Sequence, residues 1–171
     1  MAEYFSIPSY SLIHGEGLSF DELALVEPLA IGAHGIRRAA VKPDEFALDI
    51  NENRLQFCKD KLGVHYIINA KDADVLEQIK NITNNEMPTL VTDATGNQKA
   101  INNAFQYMAH GARFVLIGLQ KQEISFSHSK FHKREATLMS SRNATRNDFK
   151  WVIKAMKGKQ INPTNYITHR I

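Results

Sequence analysis

Strand-like and helix-like segments alternate along the chain from Leu48 onward, and this alternation limits the possible folds more than any other feature. Residues 65–69, 89–94 and 113–118 are rich in the β-branched, aromatic and aliphatic residues typical of strands. Between them, apolar residues recur at three- and four-residue spacing, as on one face of a helix. We therefore expect an α/β fold, a parallel sheet with helices on both faces and right-handed crossovers.

The N-terminal part of the chain does not show this alternation of strands and helices. Residues 2–12 have the mixed apolar and aromatic character of an edge strand or an extended arm. Ser19 and Glu22 form a capping-box pattern that starts a helix. Because Pro28 cannot donate a helical hydrogen bond, we expect a junction at Glu27 between two helical pieces, the second running from Pro28 to about Ala40.

Composition excludes several classes of protein. Of the 171 residues, 43% are hydrophobic and 23% charged, the balance of one ordinary globular domain. Cys58 is the single cysteine, so an internal disulfide and a multi-cysteine zinc site within this chain are excluded. The net charge of +3 is scattered, with one local basic cluster at residues 130–134. We expect no nucleic-acid binding, no membrane association and a cytoplasmic location.

The stretch FALDINENRL, residues 46–55, holds the strongest functional signal. It reads as a short strand that ends in Asp49 and passes directly into a helix. An acid in this place holds the adenosine ribose in dinucleotide-binding domains, about twenty residues after a glycine-rich turn. No three of the nine glycines have the required G-x-G-x-x-G spacing.

Two interpretations of this mismatch stay open from the residues alone. In the first, residues 46–50 are simply the first strand and Asp49 is an ordinary surface acid. In the second, roughly 25 to 30 residues holding a first strand, its glycine loop and its helix are missing between Glu45 and Ala47.

A family resemblance favours the second interpretation. It rests on motifs that follow one another in register: ALVEPLAIGAHGIRR at residues 24–38, LDINENRL at 48–55, DATGN at 93–97, FVLIGL at 114–119, FHKRE at 131–135 and SRNAT at 141–145. Together they resemble the zinc-dependent alcohol and polyol branch of the medium-chain dehydrogenase/reductase family, and most of all its sugar-acid dehydrogenases, such as those of L-galactonate and L-gulonate. The resemblance implies a Rossmann-like sheet without its first strand, glycine loop and helix. It also implies that residues 1–18 are a remnant of the catalytic domain and linker, and that residues 19–171 are an incomplete dinucleotide-binding domain.

The resemblance also assigns site residues. Asp49 is expected to bind the ribose of NAD and to repel the 2′-phosphate of NADP, and Arg54 to lie over the adenine unless it is only a solvated helix cation. The other residues that the family pattern places at the cofactor are Thr95, Gly96, Gly118, Leu119, Ser141, Arg142 and Asn143. Turn geometry alone is an alternative explanation for Gly96. Glu27 matches a glutamate that reaches the catalytic zinc, with a helix-junction acid as the alternative.

By resemblance, the intact protein transfers hydride between NAD and a secondary alcohol of a polyol or sugar acid, and forms a homo-oligomer. No catalytic residue is assigned in this chain. Since the zinc ligands and the pyrophosphate loop are missing, we expect the isolated chain to have little or no dehydrogenase activity. The alternatives are a non-catalytic remnant that self-associates or binds an adenosine compound, and a methyltransferase, whose fold also places an acid on a ribose.

Overall fold

The computed structural model describes residues 4, 6–41, 46–72 and 74–168. It contains six α-helices and five strands in these parts of the chain: α1 (Phe20–Ala39), β1 (Phe46–Asp49), α2 (Glu52–Leu62), β2 (Tyr66–Asn69), α3 (Val75–Ile82), β3 (Leu90–Asp93), α4 (Gln98–Ala104), β4 (Arg113–Leu116), α5 (His128–Lys133), β5 (Thr137–Ser140) and α6 (Arg146–Lys157). Short 3-10 helices lie at Ser9–Ser11, Phe105–Tyr107 and Pro163–Tyr166. The predicted α/β alternation is confirmed.

All strand pairs are parallel, and the described strands form two sheets. In the first, β1 pairs with β2, with Asp49 opposite Asn69. In the second, β4 lies between β3 and β5. Among the described residues β1 does not pair with β3, so the parallel sheet is divided at the position where the sequence predicts a missing strand.

One hydrophobic core lies beneath both sheets. Ile68 of β2 and Phe114 of β4 belong to the same buried cluster, together with Ile79 of α3 and Ile101 of α4. Phe114 and its neighbour Val115 are both fully buried, although they point to opposite faces of β4. The nearly unbroken apolar run of residues 113–118 predicts a strand covered on both faces, and this prediction is confirmed.

The chain divides into two compact units by its internal contacts. Residues 35–141 form one unit, which holds all five strands, and residues 1–34 with 142–171 form the other. In the second unit Val26, Ala30 and Ala33 of α1 join Val152 and Met156 of α6 in a small apolar cluster. The domain boundary predicted at residue 18 stays a prediction.

The predicted helix junction at Glu27 is wrong. Helix α1 continues through Pro28, although proline cannot donate to the carbonyl of Ala24. Val26 and Ala30, on either side of the proline, are buried. Packing of this face outweighs the single lost hydrogen bond. The edge strand considered for residues 2–12 is also not found in their described part, which has the 3-10 helix Ser9–Ser11.

The sequence offers Asn51, Asp72 or Asp74, and Asn97 as helix caps, and most helix starts follow these predictions. The side chains of Asn51, Asp74 and Asn97 accept backbone amide hydrogens at the starts of α2, α3 and α4. At α1, the amide and hydroxyl of Ser19 donate to the Glu22 carboxylate, and these hydrogen bonds lower the pKa of Glu22. The spacing of Leu55, Cys58 and Leu62 predicts that they share the inward face of α2, which is correct only in part, because Leu55 is buried but Leu62 is exposed.

Thr145 and Asp148 have the spacing of a second capping box, and at the start of α6 this box is present and extends to a histidine. Asp148 Oδ2 accepts from the Thr145 amide at 2.8 Å and from the Thr145 hydroxyl at 2.6 Å. The same oxygen lies 2.9 Å from His34 Nδ1 of α1. The Asp148 side chain is only 1% exposed, so its charge depends on these partners.

Replacing this carboxylate tests its role. We expect Asp148→Ala to lower the free energy of unfolding by about 2 to 4 kcal/mol, because a cap is lost and both Thr145 and the partly buried His34 lose an acceptor. Urea denaturation followed by the fluorescence of Trp151, the single tryptophan and itself in α6, measures the loss. The exposed Asn147→Ala in the same turn is the control and should change little; equal losses in the two variants would contradict this role.

Candidate functional site

Asp49 is the last residue of β1, as the sequence predicts, and its carboxylate is held by the turn that follows. Oδ1 accepts the backbone amides of Ile50 at 2.7 Å and Asn51 at 2.9 Å. Oδ2 lies 3.7 Å from Nη1 of Arg54. Since the backbone occupies one oxygen, the second remains the free acceptor for a ligand hydroxyl.

An open depression adjoins this strand tip. Its lining comes from the start of α2 and the loop after β2: Ile50, Asn51, Glu52, Asn53, Arg54 and Lys71. The side chain of Arg54 is 74% exposed, so its ion pair with Asp49 is weak and its guanidinium is able to turn toward a ligand. The structure thus places the side chains of Asp49 and Arg54 next to each other, and their contact with a cofactor stays a prediction.

The loops after β3 and β4 are fastened to each other by Asp93, a residue that sequence reasoning did not single out. Its side chain accepts from the Thr95 hydroxyl at 2.6 Å and from the Gly96 amide at 3.0 Å. Its backbone carbonyl accepts the amides of Ile117 and Gly118. Asp93 is buried at 6% exposure. The available signal is an acid at the end of a strand, the same signal that identifies Asp49.

Gly96 and Gly118 allow these two loops to touch through their backbones. Gly96 has φ +60°, and a Cβ there would lie 2.5 Å from the carbonyl oxygen of Leu119. A Cβ on Gly118 would meet the amide nitrogen of Gly96 and the Asp93 carboxylate. Both glycines are therefore required by close approach, so the turn-only explanation considered for Gly96 is incomplete.

A second open depression lies beside this loop pair. It is lined by residues 96–99 and 119–122, including Lys99 and Lys121. The side chain of Leu119 is 89% exposed next to it. A mostly polar lining with two lysines and one exposed leucine suits a ligand that has an anionic part.

Ser141, directly after β5, has a buried hydroxyl with no hydrogen-bond partner in the described part of the chain. Its backbone amide donates to the Leu116 carbonyl, which fixes the residue at the carboxyl end of β4. A buried hydroxyl without a partner is costly, so this atom is a candidate for a ligand contact.

Three predicted site residues lie in the other compact unit. Arg142 and Asn143 are exposed, and Asn143 has a left-handed backbone with φ +57°. Glu27 is exposed on α1. Within the described ranges, no three His, Cys, Asp or Glu side chains are grouped closely enough to hold a metal ion. The residues described do not fit a zinc site.

The described helices also include no segment that is both long and apolar enough to cross a lipid bilayer.

The contact between the two loops leads to a stability prediction. Gly96→Ala should lower the free energy of unfolding by about 3 kcal/mol, because a left-handed alanine is strained and its Cβ collides with backbone. Gly63→Ala is the matched control, since Gly63 also has positive φ (+71°) but no atom within 4 Å of the position that a Cβ would take. That control should lose only about 1 kcal/mol. Urea unfolding followed by circular dichroism gives both values, and equal losses would show that the loops do not touch.

Cys58 offers a chemical probe of Asp49. Burial raises the pKa of the Cys58 thiol, and the negative charge of Asp49 raises it further. Asp49→Asn keeps an oxygen for the two backbone amides but removes the charge, so the Cys58 pKa falls and the thiolate fraction rises. Alkylation by iodoacetamide at pH 8 should become about two- to threefold faster.

The control for this experiment is Asp60→Asn, which removes one exposed acid from α2, the helix that contains Cys58. It should leave the alkylation rate unchanged. An unchanged rate in Asp49→Asn would mean that the Asp49 carboxylate does not act on the thiol.

Comparison with known proteins gives two similar relatives over almost the whole chain. L-galactonate-5-dehydrogenase of Escherichia coli K12 is 34% identical over 198 aligned positions, which cover 99% of this chain and 57% of the relative. D-xylulose reductase of Scheffersomyces stipitis is 26% identical over 205 positions, covering 99% and 56%. The chain thus spans little more than half the length of these relatives.

A solved structure supports the fold. The chain is similar to a crystal structure described as a short chain alcohol dehydrogenase of E. coli CFT073 complexed with NADH, with a TM-score of 0.79 and 20% identity. The similarity covers 90% of this chain and 52% of that one. The fold is therefore that of the Rossmann-like dehydrogenases.

The family itself is shown by a match over most of the chain. Residues 45–158 match the zinc-binding dehydrogenase family, which confirms the resemblance drawn from the sequence motifs. This range contains all five strands, Asp49 and both glycine loops. The chain belongs to the zinc-type alcohol dehydrogenases of the medium-chain dehydrogenase/reductase family.

Proposed function

We propose that this chain is the NAD(H)-binding portion of a zinc-type dehydrogenase that oxidises a secondary alcohol of a polyol or sugar acid. The observation that carries the proposal is the Asp49 carboxylate, which has one oxygen held by backbone amides and the other 3.7 Å from Nη1 of Arg54, a residue that lines an open depression. When bound, the nicotinamide accepts or supplies the hydride. The rest of the proposal concerns what the residues of this chain do for that cofactor.

At the adenosine end, Asp49 Oδ2 accepts hydrogen bonds from the ribose hydroxyls. The carboxylate repels a 2′-phosphate, so NAD is selected over NADP. Arg54 covers the adenine ring, for which its exposed guanidinium is free to turn. Because the side chain of Asn51 caps α2, it takes no part in the contact with the adenosine.

At the nicotinamide end, the loops fastened by Asp93 provide a rigid backbone surface. Thr95 and Gly96 form one side of it, Gly118 and Leu119 the other. The hydroxyl of Ser141 supplies a hydrogen bond that it does not make within the described chain. Arg142 and Asn143 follow it and provide polar contacts to the cofactor or to a second subunit.

The site is weakest at the position where the pyrophosphate, the central part of the cofactor, would bind. The sequence has no G-x-G-x-x-G turn, and hence no helix N-terminus that is prepared for a pyrophosphate. Glu27 is offered as a zinc-side residue of an intact protein, but the donors described here do not complete a metal site. We therefore propose that the isolated chain recognises the adenosine part of NAD and has little or no dehydrogenase activity.

The wider assignments follow from the relatives. L-galactonate and D-xylulose in their names indicate a polyol or sugar-acid substrate. Homo-oligomerisation and a cytoplasmic location stay predictions from the sequence.

A titration of the recombinant chain tests the proposal. Adenosine should bind with a Kd on the order of 1 mM, and NADH should bind no more tightly, because the pyrophosphate adds no contact. Chemical-shift changes in ¹⁵N spectra should be centred on Asp49 and Arg54. Asp49→Ala should weaken adenosine binding about tenfold, since a hydrogen bond to a charged group is worth roughly 1.5 to 3 kcal/mol.

Asp60→Asn is again the control for charge, and it should bind adenosine normally. Micromolar NADH binding by this chain would show that a pyrophosphate site exists after all. The absence of any shift at Asp49 with adenosine would reject the ribose assignment. Adenosine binding without any NADH-dependent activity after refolding with zinc agrees with the proposal, and also with a non-catalytic adenosine binder.

A further inference from the structure

Strands β1 and β3 each have one edge without a strand partner among the described residues. The Asp49 carbonyl accepts from Ala70 after β2, so Asp49 directs its backbone groups toward β2. Because these groups alternate along a strand, Phe46 and Leu48 direct theirs to the other edge. In β3, the carbonyls of residues 89 and 93 accept from β4 and the turn after it. Leu90 and Thr92 therefore direct their backbone groups away from β4.

Burial agrees with this assignment of open edges. In parallel sheets, strands are normally covered on both faces. Phe114 and Val115 of β4, which has neighbours on both sides, are fully buried. All four residues of β1 are only half-buried, although three of them are apolar. Thr92 of β3 is exposed. The strands at the division are thus less covered than the strand with two partners.

The division lies within one packed unit. Phe46 and Leu48 of β1 and Val91 of β3 pack against the same core cluster. Helix α3 contacts both β2 and the 3-10 helix Phe105–Tyr107, which follows α4. Both sheets therefore share one apolar layer, and the division lies in the hydrogen bonding and not in the core.

The alignments with the relatives include positions that have no residue in this chain. The alignment with the E. coli relative runs over 198 positions and covers 99% of the 171 residues here, so about 29 positions have no residue in this chain. The alignment with the S. stipitis relative leaves about 36. One strand, a glycine turn and a helix need roughly 30 residues. Such sheets have the general strand order 3-2-1-4-5-6. In that order β2 and β1 correspond to strands 3 and 2, and β3, β4 and β5 correspond to strands 4, 5 and 6. Strand 1 is the strand without a counterpart among those described here.

We propose that the open edges of β1 and β3 form a strand-binding slot that accepts one parallel strand from a separate polypeptide. The ligand is a segment of about 30 residues with an apolar strand, a glycine-rich turn and a helix. The strand pairs with Phe46 and Leu48 on one side and with Leu90 and Thr92 on the other. It also covers the half-exposed faces of β1 and β3.

The test uses the full chain and a synthetic peptide. The peptide copies the segment of the E. coli relative that aligns with no residue here, and it has a fluorescein label. We expect saturable binding at one peptide per chain by fluorescence anisotropy. Hydrogen exchange should slow at least about tenfold at the amides of Leu48 and Thr92 when the peptide is bound.

Two controls remove the backbone pairing and little else. A peptide with the same sequence but N-methylated strand residues should not bind, because it lacks the donors. In the protein, Thr92→Pro removes an amide hydrogen that faces the slot and should weaken binding at least about tenfold, whereas Thr92→Val should bind normally. If Thr92→Pro loses the circular dichroism of the parent, the N-methylated peptide alone provides the comparison.

Several results would overturn the proposal. These are no saturable binding, equal binding of the N-methylated peptide, and exchange protection that leaves out the amides of β1 and β3. Self-association of the chain that protects Leu48 and Thr92 without peptide would assign the edges to a second copy instead. Peptide binding without any gain in NADH affinity would support the slot and count against the proposed function, so the two are tested separately.

Discussion

A parallel strand has its backbone donors and acceptors satisfied only when it has neighbours on both edges, and in this chain β4 has both. Its residues Phe114 and Val115 are the most completely buried part of the sheet, and the core cluster surrounds them. The rigid loops of the candidate site are attached to β4 and to its partner β3. Strand β1 has a partner on one edge among the described residues, and it is correspondingly less covered.

Asp49 and Asp93 show how the same sequence feature takes two roles. Each is an acid at the end of a parallel strand, and each accepts hydrogen bonds from the residues that follow it. Both oxygens of Asp93 are used within its own loop, and the residue is buried. Asp49 uses only Oδ1 in this way and leaves Oδ2 at a rim beside Arg54. Asp93 therefore holds the loops together, and Asp49 is available to a ligand.

Helix starts are predictable because they depend on neighbouring residues. Features that depend on contacts between distant residues are not predictable from a short segment. The caps at Asn51, Asn97 and Thr145 depend on side chains three residues from their partners, so the sequence alone identifies them. The sequence predicts a break at Pro28 because the buried face of α1 is not visible locally. It does not reveal Asp93, whose importance depends on Gly118, 25 residues away, and on the backbone approach of two loops. Whether Asp49 and Ser141 contact a cofactor is still a prediction.

The sequence by itself determined the alternation of strands and helices, the strand-end position of Asp49, the lack of a glycine fingerprint and the family resemblance. These follow from spacing and residue type, which are properties of short segments. Only the tertiary structure decided that the strands pair as two sheets over one core, that α1 passes through Pro28, and that Asp93 fastens two loops. Such outcomes depend on which distant surfaces bury each other and which backbone edges find partners, and no single segment encodes either.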